Sequence, residues 1–222
     1  MSVVKMTKPV NRTHKYNSAH RREQANTTRR DIIDAARRLL EKDGYTATTM
    51  AAVAREAGVA LKTVYLSFEN KSGLLSALWD VLLRGGEDAP PVAQLAWYQA
   101  VLEEPDPERQ LRLNARNSTV VKQRLGVLMG VIRDAAPADP TINALWKQIQ
   151  ASFYENQRVI VASIAAKKAL RAGLDLARAA DILWTLNHPD LWLLLIGQRG
   201  WSPQDYEQWF GDTACAQILK HA

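Results

Sequence analysis

Cysteine is almost missing from this chain: Cys215 stands alone, so no disulfide can close within it. Histidine is scarce and scattered, and His14, His20, His188 and His221 give no metal-ligand spacing. Long apolar runs are lacking too. The longest, Leu191 to Ile196, falls far short of the roughly 20 residues that cross a bilayer. No apolar stretch behind a basic region reads as a secretory signal, so a cytoplasmic chain with no membrane partner is expected. There is no GxSxG, no phosphate-binding glycine loop and no paired-carboxylate motif in a suitable context. Neither an enzyme nor a metal or cofactor site is expected. Internal repeats and strand-like alternation are absent as well.

What the chain does have is apolar residues at helical spacing. They make up 47% of 222 residues, with seven Trp against three Phe, a globular rather than a disordered composition. Charge is uneven. Residues 1–30 hold eight Lys or Arg (Lys5, Lys8, Arg12, Lys15, Arg21, Arg22, Arg29, Arg30) against Glu23, a balance of +7. The other 192 residues balance at −1, so the net +6 belongs to the N-terminal segment. With little apolar periodicity, residues 1–26 read as a disordered basic arm, either a DNA-contacting element or a solubilising tail.

Thr48 to Lys71 read TTMAAVAREAGVALKTVYLSFENK. Met50, Val53, Ala54 and Ala57 recur at three- and four-residue steps, which predicts a short helix capped by Thr49. Gly58 tolerates a positive φ and suits a tight turn. In the helix that follows, Val64 and Phe68 point inward, which puts Lys62, Thr63 and Leu66 on the opposite face. A cation, a hydroxyl and an exposed apolar group are the kinds of side chain that meet guanine edges, phosphates and thymine methyls. The unit has the form of a helix-turn-helix over residues 49–68.

Ile32, Ala36, Leu39 and Leu40 mark an amphipathic helix upstream, and Leu74, Leu75, Leu78, Trp79 and Leu82 mark another after Asn70-Lys71-Ser72. The whole segment, with GYTATT, AGV, TVY, Phe68 and NKSGLL in order, resembles the DNA-binding domain of the TetR family of bacterial transcriptional regulators. Ala60 departs from the Ser or Thr that commonly opens the family's recognition helix, and Ser67 from the aromatic or His that often precedes the Phe. The resemblance implies DNA contacts from Thr49, Leu61, Lys62, Thr63, Tyr65, Leu66, Ser67 and Lys71. Thr49, Tyr65 and Lys71 would hold phosphates.

Beyond Gly85-Gly86 the chain continues with helical periodicity. A short helix is expected over Arg109 to Arg116, a second through Val121 to Ile132, and a long one from Pro140 to about Leu170. Asp175 caps a helix through Leu186, His188-Pro189 interrupts the chain, and Ser202-Pro203-Gln204-Asp205 starts the last helix. Asn156 lies seven residues after Ile149 and four before Ile160, on an apolar stripe, as a satisfied core amide or a ligand contact. Trp146, Trp184 and His188 are the other candidate pocket residues.

The expected fold is therefore all-α, with an arm (1–26), a helix-turn-helix DNA-binding domain (27–86) and a helical effector-binding and dimerisation domain (87–222). The resemblance implies a homodimeric repressor of a palindromic double-stranded operator, released by an apolar or aromatic small molecule. A ligand-independent architectural DNA-binding protein and a helical carrier or enzyme are the alternatives. The charge distribution supplies a test, because each neutralised phosphate adds about −0.9 to the slope of log affinity against log salt. If half of the arm's cations engage phosphates, deleting residues 1–26 flattens that slope by roughly 2 to 3 per protomer and leaves sequence preference intact. An unchanged slope in a salt titration assigns the arm to solubility alone.

Overall fold

The computed structural model describes the backbone of residues 12–220 and the side chains of residues 20–220. Among these residues there are helices and no strand; one isolated bridge pairs Leu170 with Leu219. The helices are α1 (Arg12–Ala47), α2 (Met50–Glu56), α3 (Leu61–Phe68), α4 (Lys71–Arg84), α5 (Ala96–Glu103), α6 (Pro107–Ala135), α7 (Pro140–Ala166), α8 (Leu176–Leu186), α9 (Pro189–Trp192) and α10 (Pro203–Ile218). A 3-10 turn at Val92–Gln94 leads into α5, and a π-helical stretch at Leu193–Gln198 continues α9.

Local chemistry explains most boundaries. Thr49 Oγ1 accepts from the Ala52 amide at 3.1 Å and Asn70 Oδ1 from the Gly73 amide at 2.8 Å, satisfying free N–H groups at the starts of α2 and α4. Asp106, Asp139 and Asp175 cap α6, α7 and α8, and Ser202 and Asp205 form a reciprocal capping box on α10. α2 stops because Gly58 takes φ 67°. That lets the Gly58 and Val59 amides reach back to the Arg55 and Ala54 carbonyls at 3.2 and 3.0 Å. Ala60 opens α3 with no side-chain cap.

Three expectations need correcting. Residues 12–26 are not a disordered arm but the first turns of α1; residues 1–11 lie outside the described residues. Arg109 to Ile132 lie in one helix, the 29-residue α6, rather than in two. Its weak helix formers are accommodated: Thr119 Oγ1 donates to the Ala115 carbonyl at 3.0 Å, and Asn117 Nδ2 to the Trp97 carbonyl at 2.9 Å. α7 ends at Ala166, short of Leu170, where Lys168 adopts φ 55°.

Two cores hold the molecule. The first runs from α1 through α4 and on into α6 and α7, through Leu125, Leu128, Met129, Ile132, Ile142 and Ile149. The expected boundary at residue 86 is therefore a turn in the chain and not a gap in the packing. The second core joins α5, α6, α7, α8 and α10 around Tyr206 and Phe210. Gly126 lets α6 approach the Trp192 indole, since a Cβ there would lie 2.8 Å from Nε1.

Burial makes a sharp stability contrast between two leucines of the N-terminal helices, Leu75 fully buried and Leu66 76% exposed. Leu75→Ala is expected to cost about 2 to 5 kcal/mol in denaturant unfolding. Leu66→Ala should stay within about 0.5 kcal/mol. Equal losses would contradict this assignment of the core.

Candidate nucleic-acid interface and ligand cavity

Helix α3 is anchored on one side only. Val64 and Phe68 are buried, while Leu61, Lys62, Tyr65 and Leu66 are exposed and Thr63 and Ser67 half-buried. A large apolar side chain as open as Leu66 on an eight-residue helix gains nothing from the fold. Ser67 Oγ donates to the Thr63 carbonyl at 3.0 Å, so its proton is engaged within the helix and only acceptor capacity faces out. Thr49 is exposed and its hydroxyl proton remains available, since its oxygen acts as the acceptor in the α2 cap.

Lys71 is placed differently from the expected open phosphate contact. Its ammonium donates to the Tyr45 carbonyl and lies 3.9 Å from the Tyr45 ring centroid. Burial lowers its pKa, and the nearby Asp139 charge only partly opposes this. The Tyr45 hydroxyl donates to Asp139 Oδ2 at 2.8 Å, and Asp139 caps α7. Burial, then the Asp139 hydrogen bond and charge, push the Tyr45 phenol up to about 12. The end of α1, the start of α4 and the start of α7 thus meet at one corner.

Two cations counted with the basic N-terminal segment are also engaged. Arg29 pairs with Glu87 at 2.6 Å, donates to the Ser67 carbonyl at 2.9 Å and lies 4.3 Å from the Phe68 ring centroid, fixing the end of α3. Arg30 pairs with Asp88 at 3.0 Å. The Glu87 and Asp88 pairs each span 58 residues of chain and no local pattern announces them.

A cavity of about 210 Å³ lies among α4, α5, α6 and α7. Trp79, Asp80 and Leu83 of α4 contribute to its wall, with Trp97 and Tyr98 of α5, Val121, Leu125 and Met129 of α6, and Leu145, Ile149 and Phe153 of α7. Polar groups are interspersed: Asn114, Ser118 and Lys122 from α6, Gln148, Gln150, Asn156 and Gln157 from α7, and Asn187 after α8. A mostly apolar wall with a few convergent polar groups is the usual form of a small-molecule site.

Of the four pocket candidates from the sequence, only Asn156 lines this cavity. Trp146 packs against the first core instead. Trp184 and His188 meet edge to face with ring centroids 4.9 Å apart, and neither lines the cavity. His188 caps α9, its Nδ1 accepting from the Asp190 amide at 3.2 Å, and burial lowers its pKa. Asn156 is half-buried; its neighbour Gln157 is buried, and its Oε1 accepts from Asn114 Nδ2 at 3.3 Å. Seven helical residues fall short of two full turns, so Asn156 sits at the edge of the stripe and Gln157 nearer its centre.

Lys122, not among the residues expected to line a pocket, is also on this wall. It lies three residues before Leu125 and seven before Met129, on the buried stripe of α6, and that spacing was the available signal. The side chain is 4% exposed, and burial pushes its ammonium down to about 7. Nζ donates to Asn187 Oδ1, and Asn187 Nδ2 donates to Ser118 Oγ at 2.9 Å.

Residues 32–78, from α1 to α4, match the family model described as "Bacterial regulatory proteins, tetR family". The transcriptional regulator TtgR of Pseudomonas putida is 30% identical over 167 residues, covering 72% of this chain and 76% of that protein. AcrR of Shigella flexneri is 29% identical over 112 residues, so the match spans half of each protein. Among solved structures, the SmeT–triclosan complex aligns with TM-score 0.69 at 20% identity, covering 88% of this chain and 93% of that one. A TetR regulator from Haloarcula marismortui aligns at 0.66 and 19%, covering 87% and 100%. The structural likeness shows the fold, the length and identity of the TtgR match show kinship, and the exposed α3 sits in the part that the family model matches. The chain belongs to the TetR family of bacterial transcriptional regulators.

Proposed function

We propose that the protein is a homodimeric repressor that binds a palindromic operator and is released by a small molecule entering the cavity. One observation carries the switch: α4, the last helix of the DNA-binding unit, is also a wall of that cavity through Trp79, Asp80 and Leu83. An occupant therefore touches the helix on which α3 is seated. Two copies of α3 engage successive major grooves only when they lie about 34 to 36 Å apart. An occupant that favours another α4 position binds that state more tightly, and this difference in affinity releases the DNA. Neighbours of the same fold have been solved with triclosan, with choline and with stearoyl-CoA, which supports reading the cavity as a ligand site. The architectural DNA-binding alternative gives this shared wall no role.

On the DNA side, Lys62, Thr63 and Leu66 read base edges, while Thr49 and Tyr65 hold phosphates; Leu61 and Ser67 flank the reading set. Lys71 reaches a phosphate only by sharing the ammonium that now serves Tyr45. Lys62→Ala is expected to relax preference at one base step and to cost about 1 to 3 kcal/mol of operator affinity, measured by selection from random DNA and by anisotropy titration. The same selected sequence at the same affinity would remove Lys62 from the reading set.

The switch has its own test. With an effector found by screening, the ratio of operator Kd with and without ligand is expected to lie in the range of about 5- to 150-fold. Leu83→Ala trims the contact between occupant and α4, so this ratio, measured at saturating ligand, should shrink several-fold while ligand-free DNA affinity changes little. A ratio untouched by Leu83→Ala would mean that the signal leaves the cavity by another route.

A further inference from the structure

Lys122 is the one buried lysine on the cavity wall, and it has no anion. Among the described residues no Asp or Glu pairs with it; its hydrogen-bond partner is the neutral Asn187 amide. The rings of Tyr206 and Phe210, with centroids 5.2 and 5.7 Å away, offer only their faces. Asp190, three residues beyond Asn187, is held by Arg133 at 2.6 Å. An ammonium moved out of water without a counter-charge is strongly disfavoured, and burial alone accounts for the fall of its pKa toward 7. A core that needed only packing would place an apolar residue there. The same wall carries the Gln150 side chain, whose amide nitrogen and oxygen are both buried without a partner.

We infer that the cavity takes an organic anion, a carboxylate or acidic phenolate on a compact apolar or aromatic body, with its charged head on Lys122. This rests on the reading of the cavity as the effector site and narrows it to a chemical class. An anion would supply the missing counter-charge inside the wall, where a charge-assisted hydrogen bond is strongest. The aromatic and aliphatic wall of Trp79, Trp97, Leu125 and Phe153 would cover the body, and at about 210 Å³ the space suits one small ring system rather than a long chain. A neutral amide of the same shape can accept from Lys122 but leaves the positive charge unbalanced. A cation would meet like charge.

The experiment uses the full chain and isosteric pairs: 1-naphthoate with 1-naphthamide, and 4-tert-butylbenzoate with 4-tert-butylbenzamide. Binding is measured by calorimetry at about pH 6.5, where the acids are ionised and Lys122 is largely protonated. The acid of at least one pair is expected to bind about tenfold tighter than its amide. In Lys122→Met, a neutral side chain of similar length, the preference should disappear through loss of acid affinity alone. Thermal unfolding checks that the variant folds, and the wild-type comparison stands without it.

Amides binding as well as acids to the wild type, acid preference persisting in Lys122→Met, or no binding of either acid up to about 1 mM would each overturn the inference. An operator-binding measurement on the same samples separates this from the switch. Amides that bind and release DNA would leave the switch standing and remove the anion. Acids that bind through Lys122 without changing operator affinity would keep the anion site and remove the switch.

Discussion

Helix α4 is packed from two sides, and the rest of the molecule is arranged around that constraint. Leu74, Leu75, Leu78, Trp79 and Leu82 are buried in the core that seats α3, while Trp79, Asp80 and Leu83 also face the cavity. Close-packed interiors move between discrete arrangements more readily than they deform continuously. A ligand that changes the cavity's shape thus acts on the seating of α3 without a long relay. The Tyr45 corner adds a polar tie, since one residue joins Lys71 at the start of α4 to Asp139 at the start of α7.

The polar layer of the cavity makes a second point about specificity. Asn114 with Gln157, and Lys122 with Asn187 and Ser118, connect α6, α7 and the end of α8 through buried side chains. Pairs of neutral amides are close to balanced when every group is bonded, whereas a lone buried cation is not. That imbalance is tolerated because the fold's stability is supplied elsewhere, by two apolar cores that share the long helices α6 and α7. The cavity sits between those cores, where a polar group can be kept waiting for a ligand.

The DNA-binding unit was legible in the sequence because its signals are local. Thr49, Gly58 and Asn70 bound short helices by chemistry acting within a few residues, and Val64 and Phe68 fix which face of α3 turns inward. The cavity was not legible in the same way. Its wall joins Trp79 of α4 to Asn187 after α8, about 108 positions apart, so apolar spacing identified buried stripes without saying which of them border empty space. Trp184 and His188, candidates by residue type and not by position, turned out to pack on each other. Lys122 broke the rule, a lysine where periodicity called for Leu, and such exceptions point to function more sharply than residues that fit. Composition likewise reports the charge of residues 1–30 but neither the helical continuation of α1 through residues 12–26 nor the partners Glu87 and Asp88 that meet Arg29 and Arg30.

In the proposed switch, occupancy of the cavity changes the separation of the two α3 helices in a dimer. Spin labels at exposed Arg55 of α2, introduced as Arg55→Cys with Cys215→Ser, report that separation directly by pulsed dipolar spectroscopy. One distance distribution is expected for the operator complex, and a second, displaced one when a ligand fills the cavity and DNA is lost. Identical distributions in the two states, with DNA nonetheless released, would contradict it.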